Sequence, residues 1–408
     1  MTTTTLVHRV YNGPLEWWRD GLVYEVGSHE LGAHGLDNLH GVLDHALTLG
    51  AAVVLVRPSL LSTDTELESF RAFTDRAHEL GLKVVARISG ALGPVTGAHV
   101  PQDNPVVVGL EQEGDGLLER AAAFLSAGAD GIDLGTVVPP EVTDKTDLDR
   151  LSEYFAILQA LVAEHAEEGT IGADISADYP ETLRHHFQDD WLHHLRDDRL
   201  TLVRWDAESL TRHITESLDE HDRFGAPPVW RYLPNVRLQR TSDPGDGRRW
   251  FEVADDRLHH RRAMALQALM LALPGSVYLR QGDEMGLLDR DKPTDPVDLA
   301  RAVDEHCPPW DSPFGSPLAT VRHASRMRRE HALATAPLAF VRGLGWWPDD
   351  VLALLARDVL VLVNTSDRPL GLPERAEVLL SSASLNQEDG RIVVPPTTTV
   401  WINALTVA

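Results

Sequence analysis

Residues 127–135 read Ala127-Gly128-Ala129-Asp130-Gly131-Ile132-Asp133-Leu134-Gly135 and follow an apolar helical run over 117–125. Glycine and aspartate end the helix, and Ile132 and Leu134 have the spacing of a short buried strand. Asp133 lies near the carboxyl end of that strand, where parallel α/β folds gather their chemistry. The stretch therefore predicts a strand of a parallel sheet and offers one carboxylate as a candidate nucleophile.

Helices and apolar strands of this kind alternate along most of the chain. The predicted strands are 22–26, 51–56, 82–88, 131–138, 170–174, 200–205, 229–233 and 275–279. The predicted helices are 36–49, 66–80, 116–127, 148–168, 182–195, 208–219, 258–273 and 319–329. Continuous apolar strands are typical of sheets that are buried on both faces. Eight such units favour a closed (β/α)8 barrel over a doubly wound sheet.

The pattern changes after the last predicted helix. Short strands separated by turns are predicted at 351–355, 359–363, 376–380, 391–394 and 398–402. This spacing indicates a small antiparallel module. We therefore expect a barrel over residues 1–333 and a C-terminal β-sandwich over residues 334–408.

The composition excludes several classes of function. The formal net charge of −25 argues against nucleic acid or an anionic membrane as the main partner. Cys307 is the one cysteine, so an internal disulfide is impossible. The sequence has no apolar signal region near its start, no run long enough to span a bilayer, no zinc pattern and no glycine-rich phosphate loop. We expect a cytoplasmic protein without metal or cofactor.

Several segments, in the right order, resemble the α-amylase family (glycoside hydrolase family thirteen). The matching segments are 17–24, 35–50, 77–85 and 273–287, and the last of these is the most specific. Together with the C-terminal module, the resemblance covers nearly the whole chain. It implies the barrel and β-sandwich architecture predicted above, and an active site with a nucleophile, a general acid and a third acid.

At the implied catalytic positions, however, the family's residues are replaced. The resemblance places Gly135 at the nucleophile, Ala173 at the general acid and Arg237 at the third acid, while Asp133 takes the place of an arginine. The loop after the third strand is shortened to residues 90–113. Because loss of these acids removes the chemistry, we expect no catalytic residues and an inactive homologue that binds a protein partner or a carbohydrate.

In an alternative interpretation, the protein is an active enzyme. A shift of two residues leaves a strand side chain on the same face, so Asp133 still points inward and acts as nucleophile. Asp174 is displaced by one residue from the general-acid position, which turns it to the other face unless a bulge intervenes. The alternative is a divergent α-glycoside hydrolase or transglycosylase that uses Asp133 with Asp174 or Glu284. A third possibility is a sugar-binding cleft without turnover.

Binding residues are expected near the ends of the seventh and eighth strands, namely Asn235, Arg237, Arg240 and Asp283. Arg237 either binds an anionic ligand or pairs with a carboxylate such as Asp133 or Asp283. The histidines of 185–186 and 193–194 suggest a metal cluster, but a solvated helix is favoured. The expected partner is an active homologue in a hetero-oligomer, or a sugar.

Overall fold

The computed structural model describes residues 1–11, 13, 16–26, 31–59, 63–88, 114–137, 148–175, 183–184, 186–187, 192–197, 199–234, 238–240, 250–252, 255–286, 316–388 and 390–407. The strands in these ranges are β1 (Thr3–His8), β2 (Leu22–Glu25), β3 (Val53–Val56), β4 (Lys83–Arg87), β5 (Gly131–Val137), β6 (Thr170–Ile175), β7 (His194–Asp197), β8 (Val229–Arg231), β9 (Leu238–Arg240), β10 (Trp250–Glu252), β11 (Ser276–Arg280), β12 (Leu338–Arg342), β13 (Leu352–Ala356), β14 (Val359–Asn364), β15 (Leu370–Gly371), β16 (Val378–Ser381), β17 (Asn386–Glu388), β18 (Arg391–Val394) and β19 (Thr398–Asn403).

The α-helices in the same ranges are α1 (Ala33–Asp37), α2 (His40–Thr48), α3 (Asp64–Glu79), α4 (Gly114–Ser126), α5 (Leu148–His165), α6 (Arg199–Leu202), α7 (Ala207–Phe224), α8 (Asp256–Ala272) and α9 (Pro317–Glu330). Their ends are fixed by ordinary capping chemistry. Thr63 and Glu66 form a reciprocal capping box at the start of α3. Asp206 caps the start of α7, and Gly225 ends that helix with a φ of 68°.

Eight strands form one parallel sheet that nearly closes on itself. Their order is β7-β6-β5-β4-β3-β2-β11-β8, and Cα atoms of β7 and β8, the two ends, lie within 8 Å of each other. Seven of these eight strands overlap strands that the sequence predicted. The (β/α) barrel prediction is confirmed.

Side chains alternate cleanly between the two faces of this sheet. Outward residues such as Val54, Val84 and Ile132 belong to the large apolar core formed with the helices. The inward apolar residues form a second cluster of Val23, Val53, Leu55, Val85, Val229 and Tyr278. The interior is therefore packed with side chains, as expected for a barrel of eight strands.

The sixth barrel strand does not lie where the sequence predicted it. We predicted a helix over 182–195 and a strand over 200–205, but the strand is β7, at His194–Asp197, and α6 follows it. The inward positions of β7 are His194 and Arg196, so the strand lacks the apolar pattern that would reveal it. The histidines at 193–194 thus lie at the start of a strand, which corrects the prediction of a solvated helix.

The C-terminal β-sandwich prediction is also confirmed. A six-stranded antiparallel sheet has the order β1-β12-β13-β14-β19-β16, and a three-stranded one the order β15-β18-β17. The sheet of this module includes β1, from the start of the chain, through pairs such as Thr3 with Arg342. Both ends of the chain therefore contribute to the second module, on either side of the barrel segment.

The described helices have no apolar stretch of the length that a bilayer crossing needs. The strands β9 and β10 also form a two-stranded antiparallel sheet that the sequence did not predict.

Candidate functional site

Six charged side chains fill the carboxyl-terminal end of the barrel interior. They are all buried and form what we call the charge cluster: Glu25, Arg87, Asp133, Asp174, Arg196 and Arg231. Each comes from a different barrel strand, at or near the end of that strand except for Asp133, which precedes a bulge in β5. Three carboxylates and three guanidinium groups balance in charge, which is how charges are tolerated inside a protein.

Asp133 lies between two arginines. Its Oδ1 accepts hydrogen bonds from Arg87 Nε at 2.8 Å and from the Gly135 backbone N–H at 2.9 Å. Its Oδ2 lies 2.5 Å from Arg196 Nη2. Both carboxylate oxygens are therefore engaged by positive or donor groups, and the side chain has no measurable exposure.

Asp174 and Glu25 complete the network. Asp174 Oδ1 lies 2.5 Å from Arg196 Nε and 2.9 Å from Arg231 Nη1. Glu25 Oε1 accepts from Arg87 Nη1 at 2.9 Å. Arg87 thus joins Glu25 to Asp133, and Arg196 joins Asp133 to Asp174, so the carboxylates are linked through shared arginines.

The strand register explains why Asp133 and Asp174 meet. Asp133 pairs with Gly172, and Asp174 lies two residues further along β6, on the same inward face. Ala173 points outward into the core between sheet and helices. Asp174 therefore faces the interior together with Thr170 and Gly172, and a bulge interrupts the β5–β6 ladder beside it, which is the exception that our prediction for Asp174 allowed.

A bulge follows directly in β5. Two residues, Leu134 and Gly135, stand opposite the single residue Ala173 in the β5–β6 ladder. Gly135 has a φ of 68°, the left-handed conformation that glycine adopts without steric cost. The position that the resemblance gave to a nucleophile is thus a glycine of the bulge, whose N–H donates to Asp133.

The electrostatic environment keeps both aspartates ionised. Burial by itself raises the pKa of Asp133, but the positive charges of Arg196 and Arg87 outweigh burial and hold this pKa below its ordinary value. Burial acts the same way on Asp174, and Arg196, Arg231 and Arg87 together bring its pKa far below the usual range. Neither group holds a proton near neutral pH.

Beneath the charge cluster lies a neutral polar layer. His194 Nε2 donates to the Trp18 carbonyl oxygen, so its Nδ1 accepts the hydrogen bond from Tyr278 Oη at 2.8 Å. Burial, together with the positive charge of Arg196, lowers the pKa of His194 to about 3. This histidine is therefore a neutral packing residue. Among the described residues, no group of three or more His, Cys, Asp or Glu side chains has the arrangement of a metal site.

The structure does not bring Glu284 to Asp133. Glu284 is buried in a 3₁₀ turn after β11, where its Oε1 accepts from Tyr24 Oη at 2.8 Å and lies 2.9 Å from His45 Nε2. Tyr24 belongs to the outward face of β2, whereas its neighbour Glu25 points inward. Glu284 therefore lies between the sheet and α2, on the other side of the strand from the charge cluster.

Two of the four predicted binding residues, Arg240 and Asp283, lie among the described residues. Asp283 is buried beside Arg280, with Oδ2 3.3 Å from Arg280 Nε. Arg240 lies in β9. Asn235 and Arg237 lie outside the described residues, as does the shortened loop over 90–113.

Sequence reasoning found the aspartates of the cluster and missed its other four members. The signal was present for three of them, because Glu25, Arg87 and Arg231 each interrupt an apolar strand. A charge in a strand that is buried on both faces requires a partner of opposite charge. Arg196 had no such signal, since its segment was assigned to a helix.

Sequence comparison identifies no relative: no protein-family model matches the chain, and no curated protein matches it significantly. Solved structures do match. Eubacterium rectale Amy13B is 12% identical with a TM-score of 0.64, covering 98% of this chain and 97% of that one. An α-glucosyl transfer enzyme, XgtA, is 15% identical with a TM-score of 0.59, covering 96% and 100%. An α-amylase from Geobacillus thermoleovorans is 11% identical with a TM-score of 0.59, covering 94% and 98%. The chain therefore has, along nearly its whole length, the fold of α-amylase-type enzymes.

Proposed function

We propose that this protein is a diverged, non-catalytic member of the α-amylase family that acts by binding a protein partner or a carbohydrate. The observation that supports the proposal is the charge cluster. Its arginines form ion pairs with Asp133 and Asp174. These are the two carboxylates that lie nearest in sequence to the family's catalytic positions.

A retaining glycosidase needs one carboxylate free to attack the sugar and a second that holds a proton for the leaving group. Asp133 meets two arginines and a backbone N–H, so an attack would first have to break these contacts in a buried site. The lowered pKa of Asp174 makes it a poor proton donor, since a general acid needs a raised pKa. The charge network at the described barrel end therefore supports a non-catalytic role.

The alternative, a divergent α-glucoside hydrolase or transglycosylase, is favoured by one observation. Asp133 and Asp174 face the barrel interior from neighbouring strands, and Arg196 contacts both. Two inward carboxylates in the same end of the barrel interior are what such an enzyme would need. The arginines would then have to move when substrate binds.

An activity assay separates the two proposals. Wild-type protein, Asp133→Asn, Asp174→Asn and the exposed-site control Asp367→Asn are incubated with an activated α-glucoside, maltose and trehalose. A non-catalytic protein gives the same background signal in all four. Turnover by wild type and Asp367→Asn that disappears in a folded Asp133→Asn variant would establish the enzyme and overturn the proposal. Circular dichroism melts confirm that each variant is folded.

Binding is tested separately. A thermal-shift series with maltooligosaccharides detects a carbohydrate ligand, and co-purification with any active homologue that is encoded beside this protein detects the protein partner. Saturable stabilisation by sugar, or co-elution at a fixed ratio, is the expected result. A negative result in both binding experiments would contradict the binding role.

We also propose a cytoplasmic location, which agrees with the presence of a single cysteine.

A further inference from the structure

A pocket with a volume of about 270 Å³ lies where the amino-terminal end of the barrel meets the C-terminal module. Its walls come from the segment after β1 (residues 8–11), the turn between α7 and β8 (residues 225–228) and the connection before β12 (residues 334–335). Pro228 and Gly275, which also line it, directly precede β8 and β11. The pocket is therefore at the opposite end of the barrel from the charge cluster, at a junction of two modules, where ligand sites are frequent.

Exposed apolar side chains are concentrated at this pocket. Among the described residues, the large hydrophobic side chains with high exposure are Met1, Leu6, Val10, Tyr11, Leu47, Ile157 and Leu405. Val10 and Tyr11 line the pocket, and Pro227, Pro228 and Ala334 add further apolar surface. A concave site with exposed apolar walls is typical of a binding site for a ligand with an apolar part.

The exposed Tyr11 ring is fixed against the barrel. The guanidinium carbon of Arg19 lies 4.3 Å from the centroid of the Tyr11 ring and 4.5 Å from that of the Trp18 ring. Arg19 itself is held by Glu16, because its Nε donates to Glu16 Oε2 at 2.5 Å. Cation–π contacts thus hold this wall of the pocket in place, and a ligand that binds there has little ordering entropy to overcome.

The floor of the pocket is fixed by backbone contacts. The Gly275 N–H donates to the Ala334 carbonyl oxygen at 2.7 Å, and the Ser276 N–H donates to the Pro228 carbonyl oxygen at 2.8 Å. Gly275 has a φ of 92°, and a Cβ there would overlap the Pro228 carbonyl oxygen. Only glycine allows this close approach, so the floor is a tight backbone crossing whose polar groups are already paired.

Polar side chains in the walls also have partners. His8 Nδ1 lies 2.8 Å from Asp222 Oδ1. Arg357 Nη2 donates to the Thr335 carbonyl oxygen at 3.3 Å and to Thr335 Oγ1 at 3.1 Å. These groups are therefore engaged within the protein, as is Arg19.

Two donors of the pocket remain available. In the described part of the chain, the exposed Arg9 side chain has no carboxylate partner, and the Tyr11 hydroxyl has no hydrogen-bond partner. A guanidinium and a phenol hydroxyl together match the oxygens of a carboxylate. An amine would meet the positive charge of Arg9, and Asp222 is already paired with His8.

We propose that this pocket binds a small carboxylic acid with one aromatic ring. The ring lies between the apolar walls, and the carboxylate accepts hydrogen bonds from Arg9 and from the Tyr11 hydroxyl. The volume is close to the lower end of the range for ligand pockets, about 300 Å³, which fits one ring and a short acid side chain. This site is separate from the charge cluster and does not depend on the proposed function.

Three probes that share a ring and differ in their polar end test the proposal by isothermal titration calorimetry of the full chain. They are 3-phenylpropionate, 3-phenylpropanol and 3-phenylpropylamine. Wild type is expected to bind the carboxylate saturably, about fivefold more tightly than the alcohol and about tenfold more tightly than the amine, because only the carboxylate gains a charge-assisted hydrogen bond. Absence of saturable binding of 3-phenylpropionate overturns the proposal, as does an amine that binds equally well.

Variants assign the binding to this pocket. Arg9→Gln is expected to raise the dissociation constant of the carboxylate about fivefold and to leave that of the alcohol unchanged, because only the carboxylate uses the charge. Tyr11→Phe keeps the ring and weakens carboxylate binding less, about twofold to threefold. The matched control Arg71→Gln, at an exposed position of α3, leaves both constants unchanged.

Filling the pocket provides an independent check. Ala334→Phe places a ring in the space of the ligand and is expected to abolish binding of all three probes in a variant that circular dichroism shows to be folded. Full carboxylate affinity in Arg9→Gln, or in folded Ala334→Phe, overturns the proposal. Arg9→Gln changes an exposed side chain, so its result does not depend on whether Ala334→Phe folds.

Discussion

Gly172 faces the barrel interior between two members of the charge cluster. A Cβ at this position would lie 2.9 Å from Asp133 Oδ2 and 3.0 Å from Arg196 Nη1. Both side chains are fixed by ion pairs, so they cannot move aside without weakening those pairs. We expect Gly172→Ala to lower the free energy of unfolding by about 1–3 kcal/mol, measured by urea denaturation.

The matched control is Gly371→Ala. Gly371 is the exposed residue of β15, and a Cβ there would have nothing within 4 Å. This substitution should change the free energy of unfolding by no more than about 0.5 kcal/mol. Equal losses in the two variants would show that the crowding around Gly172 has no energetic consequence.

For single residues, the sequence predicts the positions of the buried aspartates better than it predicts the residues that they contact. Asp133 and Asp174 were identifiable because each follows an apolar run in a predicted strand. Their inward orientation depends on register, and the pairing of Asp133 with Gly172 is set by contacts between strands that are far apart in sequence. Arg196, which joins the two aspartates, lies in a polar segment whose pattern indicates neither strand nor core.

Among the elements, α9 fixes the start of β11 through one side chain. Arg328 is buried and donates from Nη1 to the carbonyl oxygens of Leu271 and Leu273, and from Nη2 to that of Gly275. These carbonyls belong to the end of α8 and the connection into the eighth barrel strand. Burial lowers the pKa of Arg328 to about 10, so the side chain stays charged at neutral pH.

Replacing Arg328 should therefore weaken this connection. Arg328→Met leaves three carbonyl oxygens without their donor, and we expect a loss of at least about 2 kcal/mol in the free energy of unfolding. Arg326→Met, at an exposed position of the same helix, is the control and should cost less than about 0.5 kcal/mol. A loss of the same size in both variants would assign the effect to the helix surface instead of the buried contacts.

Elements with strong periodicity were predictable, and elements defined by their partners were not. The apolar strands β3 and β4 appear in the sequence as continuous runs. The strands β1 and β12 do not, because β1 is a threonine-rich edge whose partner lies more than three hundred residues away. Local pattern cannot show a pairing that distant, although the short strands after residue 350 indicated the second module correctly.

For the whole molecule, charge is distributed in two distinct ways. The chain as a whole has an excess of acid, with a formal net charge of −25, while the charge cluster in the barrel is balanced. Acidification reduces the overall repulsion as carboxylates become protonated, which favours the folded state. The same acidification removes the charges that hold the cluster together, so the two effects on stability oppose each other.

Comparison of wild type with Asp133→Asn isolates the cluster, because both proteins share the overall charge effect. The pKa of Asp133 is lower in the folded protein than in the unfolded chain, so the unfolded chain binds more protons as pH falls. The stability from this carboxylate is complete above the unfolded pKa of about 4 and is lost as pH falls through the folded pKa.

At pH 7, Asp133→Asn should lower the free energy of unfolding by about 3–5 kcal/mol, because Arg87 and Arg196 lose a buried partner. Urea denaturation from pH 7 to pH 3 should show this difference shrinking below about pH 4, whereas a control difference for the exposed Asp367→Asn stays near zero throughout. A difference that keeps its full size at pH 3 would mean that the fold does not depend on the ionised form of Asp133.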